Sequence, residues 1–242
     1  MTHDELEKQV REILESIPDD LQVLEQGINS KTQDEYFSLS AKIEKTNDSE
    51  QDLINKADTN LFDNTVSADL KKEYLIRLAN LGTIPAYRLI EKYLKNNHDH
   101  LKDWAVLALR ECRMILEYVL LDEEQGFIST PLGGKGNMLR YYIVISARNK
   151  FYFNENQQDI ITEGFEKTAG DLNSEIEEYN FNKNHCLIKL LLSNYVALDE
   201  LVLSSIKTCN QSEDFIRIHY MATNQKKPTE QEIKSYLEYL EK

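Results

Sequence analysis

The sequence predicts an α+β protein, with a helical module over residues 1–122 and a mixed module over 123–242. Three observations predict it. Up to residue 121 the apolar residues recur three and four apart, the spacing of one helix face. From Gly126 onward, runs of alternating side chains enter, the period of a strand. The elements of that second half then follow one another as strand, helix, strand, strand, helix, strand.

In the first module, Leu6, Val10, Ile13, Leu14 and Ile17 mark a helix over 4–17. Pro18 ends it, and Asp19 and Asp20 supply caps for a second short helix holding Leu21 and Leu24. The apolar content then thins. Tyr36, Phe37, Leu39 and Ile43 mark one more helix, Leu53 and Ile54 a short turn, and 44–66 is loop-rich. Leu70, Tyr74, Leu75, Leu78 and Leu81 form the stripe of a helix over 69–81. Gly82 stops it, since glycine adopts the left-handed cap conformation cheaply. Pro85 opens the next helix, where its missing N–H is no loss, with Leu89, Ile90 and Tyr93 inward. A polar loop, 96–100, leads to a helix over 101–121 carrying Trp104, Ala105, Ala108, Cys112 and Ile115.

LANLGTIPAYRLIEKYL followed by LKDWAVLALRE resembles the helix–turn–helix unit of HEAT-type repeats. Leu78, Ala79, Leu81 and Gly82 before the turn carry the likeness, with Ala86, Leu89 and Ile90 after it and Trp104, Ala105, Ala108 and Leu109 in the helix that follows. It covers residues 69–121 only and implies helix stacking, not a chemistry. A self-standing stack needs about three repeats, so other parts of the chain would close its ends.

The second module opens on an extended run, Phe127 to Thr130, and a turn, PLGGKG, holding Gly133, Gly134 and Gly136. The strongest strand signal follows over 139–147. Leu139, Tyr141, Ile143, Ile145 and Ala147 share one face; Arg140, Tyr142, Val144, Ser146 and Arg148 share the other. Asn154 with Gln157 reads as a capping box for a helix to Leu172. Strands over 174–181 and 185–192 flank the turn Asn182, Lys183, Asn184, and a helix covers 197–209. FIRIHYMAT, 215–223, alternates again. Thr229 and Glu232 cap a last helix lined by Ile233, Leu237 and Leu240. The βαββαβ order resembles the ferredoxin-like arrangement. That likeness implies both helices on one sheet face, with the run 127–130 added in front as an extra strand.

Forty-two acidic against twenty-eight basic residues give a net charge of −14. The excess serves solubility; its sharper reading is a surface made for a basic partner. It argues against nucleic acid, whose binding starts with phosphate neutralisation. No apolar run approaches the roughly 20 residues of a membrane span, and MTHDELEKQV is no signal peptide. These features predict a cytoplasmic protein, most simply bacterial, with no membrane partner.

The candidate ligand site is the glycine-rich hairpin and the cationic strand after it: Gly133, Gly134, Lys135, Gly136, Arg140, Tyr142 and Arg148. Consecutive glycines can turn N–H groups toward an anion, and 131–154 carries no acidic residue. The GxxxxGK[ST] phosphate loop is nevertheless absent, since Lys135 is followed by Gly136 and a strand. The alternative for the glycines is a flexible loop with solvated cations, and for the strand face, packing against the helical module.

No catalytic residue, metal ligand or cofactor site is predicted. Cys112, Cys186 and Cys209 are too scattered for a zinc knuckle; His98 and His100 lack a third ligand. His185 and His219 meet only if their strands pair, and Glu175, Glu177 and Glu178 split between faces. The leading functional expectation is therefore a non-enzymatic protein-interaction adaptor, or an inhibitor of a basic partner protein. A small-anion or phosphorylated-metabolite sensor at 131–136 and an enzyme with a site between the modules are the alternatives. A homodimer through a sheet edge stays open.

Overall fold

A computed structural model describes residues 20–43, 49–96, 101–121, 125–148 and 152–241. The expected helix over 4–17 lies outside them, as do His98, His100 and Lys150. The chain forms two compact units. Among the described residues, one takes Asp20, Leu21 and Ile28–Phe127; the other takes Gln22–Gly27 and the chain from Ile128 on.

The first unit is helical: α1 (Ser30–Ser40), α2 (Glu50–Phe62), α3 (Ala68–Leu81), α4 (Ile84–Asn96) and α5 (Lys102–Leu121). Three of these starts are set by side-chain caps. Asn29, Ser49 and Ser67 accept from the N–H groups of Lys31, Asp52 and Leu70, each a contribution of about 1 kcal/mol. Gly82 ends α3 at φ +57, as expected. A Cβ there would lie 2.2 Å from Ile115 Cγ2, so α5 passes directly over the turn.

Helix α2 corrects the loop expected over 44–66. Leu53, Ala57 and Leu61 are its buried residues, four apart. The stripe is one side chain wide on an otherwise polar segment, which is why composition read it as loop. At the centre of the unit Tyr36 is fully buried. Its hydroxyl donates to Glu111 at 2.5 Å, and its ring lies 5.4 Å from that of Trp104.

The short helix expected around Leu21 and Leu24 is instead a strand, β1 (Asp20–Val23). It pairs with β2 (Gln125–Ile128) in a two-stranded sheet. The run 127–130 therefore does not add to the front of the main sheet: its first residues pair with β1. Val23 donates to the Gly136 carbonyl at 2.6 Å and Leu24 to that of Ile128 at 2.9 Å.

The main sheet of the second unit is antiparallel. Strands β3 (Gly134–Lys135), β4 (Met138–Ser146), β6 (His185–Ser193) and β5 (Glu175–Asn182) neighbour one another in that order. Strand β7 (Met221–Thr223) also pairs with β4. β4 and β6 run together from Met138↔Ser193 to Ser146↔His185.

The strand expected over 215–223 is interrupted. Ile216 bridges to Ala147, whereas Met221 faces Val144, so the intervening residues loop away from β4. There the Tyr220 hydroxyl reaches Asp199, and Arg217 donates to the main-chain oxygens of Ala147 and Leu240.

Helices α6 (Glu155–Asp171) and α7 (Leu198–Cys209) cover one sheet face. Ile143, Ile145, Ile188 and Leu190 meet Phe165, Ile161, Val202 and Ile206 there in the principal core. α6 starts at the Asn154–Gln157 capping box. The other face carries a far smaller cluster, Tyr142, Val144, Leu187 and Ile233. It lies under the C-terminal helix α8 (Glu230–Tyr239), capped by Thr229 and Glu232.

Candidate functional site

Gly133 and Gly134 serve close backbone packing. Gly133 sits at φ +65, and a Cβ on it would lie 2.2 Å from the Glu25 carbonyl oxygen. A Cβ on Gly134 would lie 2.4 Å from Val23 Cγ1. The segment 22–27 thus lies flat on this loop. Gly133 donates its N–H to the Thr130 carbonyl, and its own carbonyl accepts from the Arg140 N–H. A Cβ on Gly136, at φ +59, would meet nothing within 4 Å.

The cations beside the loop have carboxylate partners. Lys135 Nζ is 2.8 Å from Glu175. Arg140 grips Glu177 with two nitrogens, at 2.7 and 2.8 Å, and donates a third bond to the Leu132 carbonyl. Arg140, with Lys189 beside it, holds the Glu177 carboxyl below its ordinary range. Arg148 pairs with Asp214. Tyr142 is 9% exposed, with the Lys227 ammonium 5.9 Å from its ring centre.

The local surplus of positive charge in the sequence is thereby answered from β5 and from the loop after α7. Glu177 is the extra residue of a bulge between Ile176 and Glu178, which alternation could not anticipate.

The cysteines are buried, and burial pushes their thiols up to about 11, 12 and 11 for Cys112, Cys186 and Cys209. Among the described residues no three His, Cys, Asp or Glu side chains are grouped to hold a metal ion. His185 begins β6, whereas the exposed His219 lies in the loop before β7, and β6 and β7 flank β4 on opposite sides.

One concavity in the second unit has the size of a ligand site. It is a groove of about 550 Å³ between the β5–β6 hairpin and α8, within the range of small-molecule sites, about 300–1,000 Å³. Its two walls differ in chemistry. The strand wall presents Asn180, Asn182, Lys183, Asn184 and His185 and no carboxylate; the opposite wall presents Glu230 and Glu238 of the C-terminal helix and Glu241 just past it, with Lys227 and Lys234 among them.

Lys183 turns the hairpin at φ +45. His185 Nδ1 is buried without a hydrogen-bond partner. Burial, then the neighbouring Lys183, lowers the imidazole pKa, so the ring is neutral at pH 7. Such a wall offers amide donors and acceptors, one imidazole and a flexible cation. Sequence reading treated Asn182, Lys183 and Asn184 as a turn only. Asparagines recurring on both sides of a lysine-tipped hairpin were the available signal.

No family model matches this chain, and no curated protein matches it. Two similar solved structures are transposases. One, a provisionally assigned transposase from Deinococcus radiodurans R1, shares 10% identity over 43% of this chain and 89% of its own, with a TM-score of 0.34. The other is a REP-associated tyrosine transposase bound to a REP hairpin. It shares 11% identity over 41% of this chain and 61% of its own, with a TM-score of 0.32. These similar structures are transposases, which lend the expected adaptor or inhibitor role no support. No helix among the described residues is long and apolar enough to cross a membrane.

Proposed function

We propose that the second unit handles DNA, holding a single-stranded segment along the strand wall of the groove. The observation that carries this reading is the composition of that wall. In a chain of net charge −14, it collects three asparagines, a lysine and a neutral histidine without one carboxylate. Asparagine amides pair with the hydrogen-bonding edge of a base, and unpaired bases leave those edges free. Lysine serves phosphate as a mobile point charge.

The neighbour order of β7, β4, β6 and β5 supports reading the sheet as ferredoxin-like, with the hairpin tip as its binding end. On the same footing, α3 and α4, joined at Gly82, are read as a HEAT-like pair, and the compartment as the cytoplasm.

Fluorescence anisotropy with a labelled single strand of about a dozen nucleotides, at low salt, tests the proposal. Saturable binding is expected, with a salt slope near −1.4 if two phosphates are met at about 0.7 each. Lys183→Ala and Asn182→Ala should each weaken it about fivefold or more, roughly 1 kcal/mol. Absence of saturable binding, or equal binding by both variants and the parent chain, would overturn it.

A further inference from the structure

Helix α8 sits over the strand wall on slender means. Of its residues only Ile233 is buried, against the cluster of Tyr142, Val144 and Leu187, with Leu237 partly buried beside it and Arg217 bonded to the Leu240 carbonyl at the helix end. Its underside also leaves polar groups without partners. Tyr236 Oη on the helix is one; His185 Nδ1 and Ser146 Oγ on the sheet are two more. His185 lines the groove with α8, and Ser146 lines a small cleft with Leu237 and Leu240. Each of these atoms would regain water if the helix left.

The helix is nonetheless well formed in itself. Thr229 and Glu232 close a capping box, and Lys226, followed by Thr229, holds the Glu232 carboxyl down at about 2. A stable helix on a weak seat moves as a body. Its groove side, with Glu241 just past its end, brings Glu230 and Glu238 opposite Lys183 and the asparagines, where a phosphate backbone would otherwise lie.

We infer that α8 is a detachable acidic cover of the strand wall, which competes with a nucleic-acid strand for it and swings away when the strand binds. This rests on the DNA-handling reading of the same groove. The helix occupies the wall in the free protein. Departure uncovers Tyr142, Leu187 and His185 and takes three carboxylates away together.

Two measurements on the full chain test it. Hydrogen exchange should show the α8 amides opening at least 100-fold more often than those of β4 and β6. In the anisotropy assay, Leu237→Ser, which loosens the seat, should tighten binding about fivefold or more. Glu238→Gln combined with Glu241→Gln, which leaves the seat intact, should do the same. Tyr236→Phe, which removes a stranded hydroxyl, should weaken binding. Protection of α8 equal to that of the sheet overturns the inference, as does weaker binding by Leu237→Ser and the Gln pair. If α8 opens as expected but no variant binds the oligonucleotide, the DNA reading falls and the detachable helix stands.

Discussion

Replacing Gly133 by alanine, with Gly136→Ala as its control, separates close packing from mere turn geometry. Both glycines have positive φ, +65 and +59, so both variants carry the left-handed penalty of about 1–2 kcal/mol. At Gly136 nothing lies within 4 Å of the added carbon, and the penalty ends there. At Gly133 the new Cβ falls 2.2 Å from the Glu25 oxygen and 2.9 Å from the Gly27 nitrogen. These are backbone atoms, which cannot rotate aside. The segment 22–27 must retreat, loosening the bonds from Val23 to Gly136 and Leu24 to Ile128, each a net contribution of about 1 kcal/mol.

Gly133→Ala should therefore destabilise the second unit by about 3–4 kcal/mol against about 1–2 for Gly136→Ala. A gap of roughly 2 kcal/mol is nearly 30-fold in an opening equilibrium. Hydrogen exchange of β4 and β6 peptides reads it directly. Equal exchange in the two variants would refute the packing role assigned to Gly133.

Two further predictions address the cores. Burial raises the Glu111 pKa above its ordinary 4.5, so the folded state holds the proton more tightly than the unfolded one. The stability this group supplies is full below pH 4.5 and is lost as pH rises through the raised value. In urea titrations read by Trp104, the single tryptophan, Glu111→Gln should flatten that decline, and Tyr36→Phe should cost about 1–3 kcal/mol at pH 7. Identical pH profiles for the parent chain and Glu111→Gln would contradict this account. In the second unit, a Cβ on Gly164 would meet Cys209 Sγ at 2.6 Å. Gly164→Ala alone should cost about 1–3 kcal/mol by overpacking. In a Cys209→Ala background it should instead stabilise by up to about 1 kcal/mol through helix propensity, and simple additivity in thermal melts would refute the contact.

Elements whose signal is local were legible in the sequence. Alternation located β4, Gly82 stopped α3, and the pairs Asn154–Gln157 and Thr229–Glu232 marked two helix starts. Helix α2 escaped because Leu53, Ala57 and Leu61 make a stripe too narrow to stand out. β1 escaped because its partner lies 100 residues away, and four residues cannot declare a strand alone. In the site, the cations of β4 were visible but their partners were not, since Glu175 and Glu177 reach them only through strand register and a bulge. The groove was less legible still. Its walls come from 180–187 and 227–241, and neither stretch shows which face it turns to the other.

The six residues Gln22–Gly27 belong to the second unit although a hundred residues of the first follow them. On a ribosome they emerge early and must wait, unsatisfied, until the loop bearing Gly133 and Gly134 has been made. Closing so long a gap is entropically slow, and the second unit cannot reach its final packing before that closure. Cutting the gene at residue 122 would consequently yield a downstream fragment with an open slot where Val23 belongs.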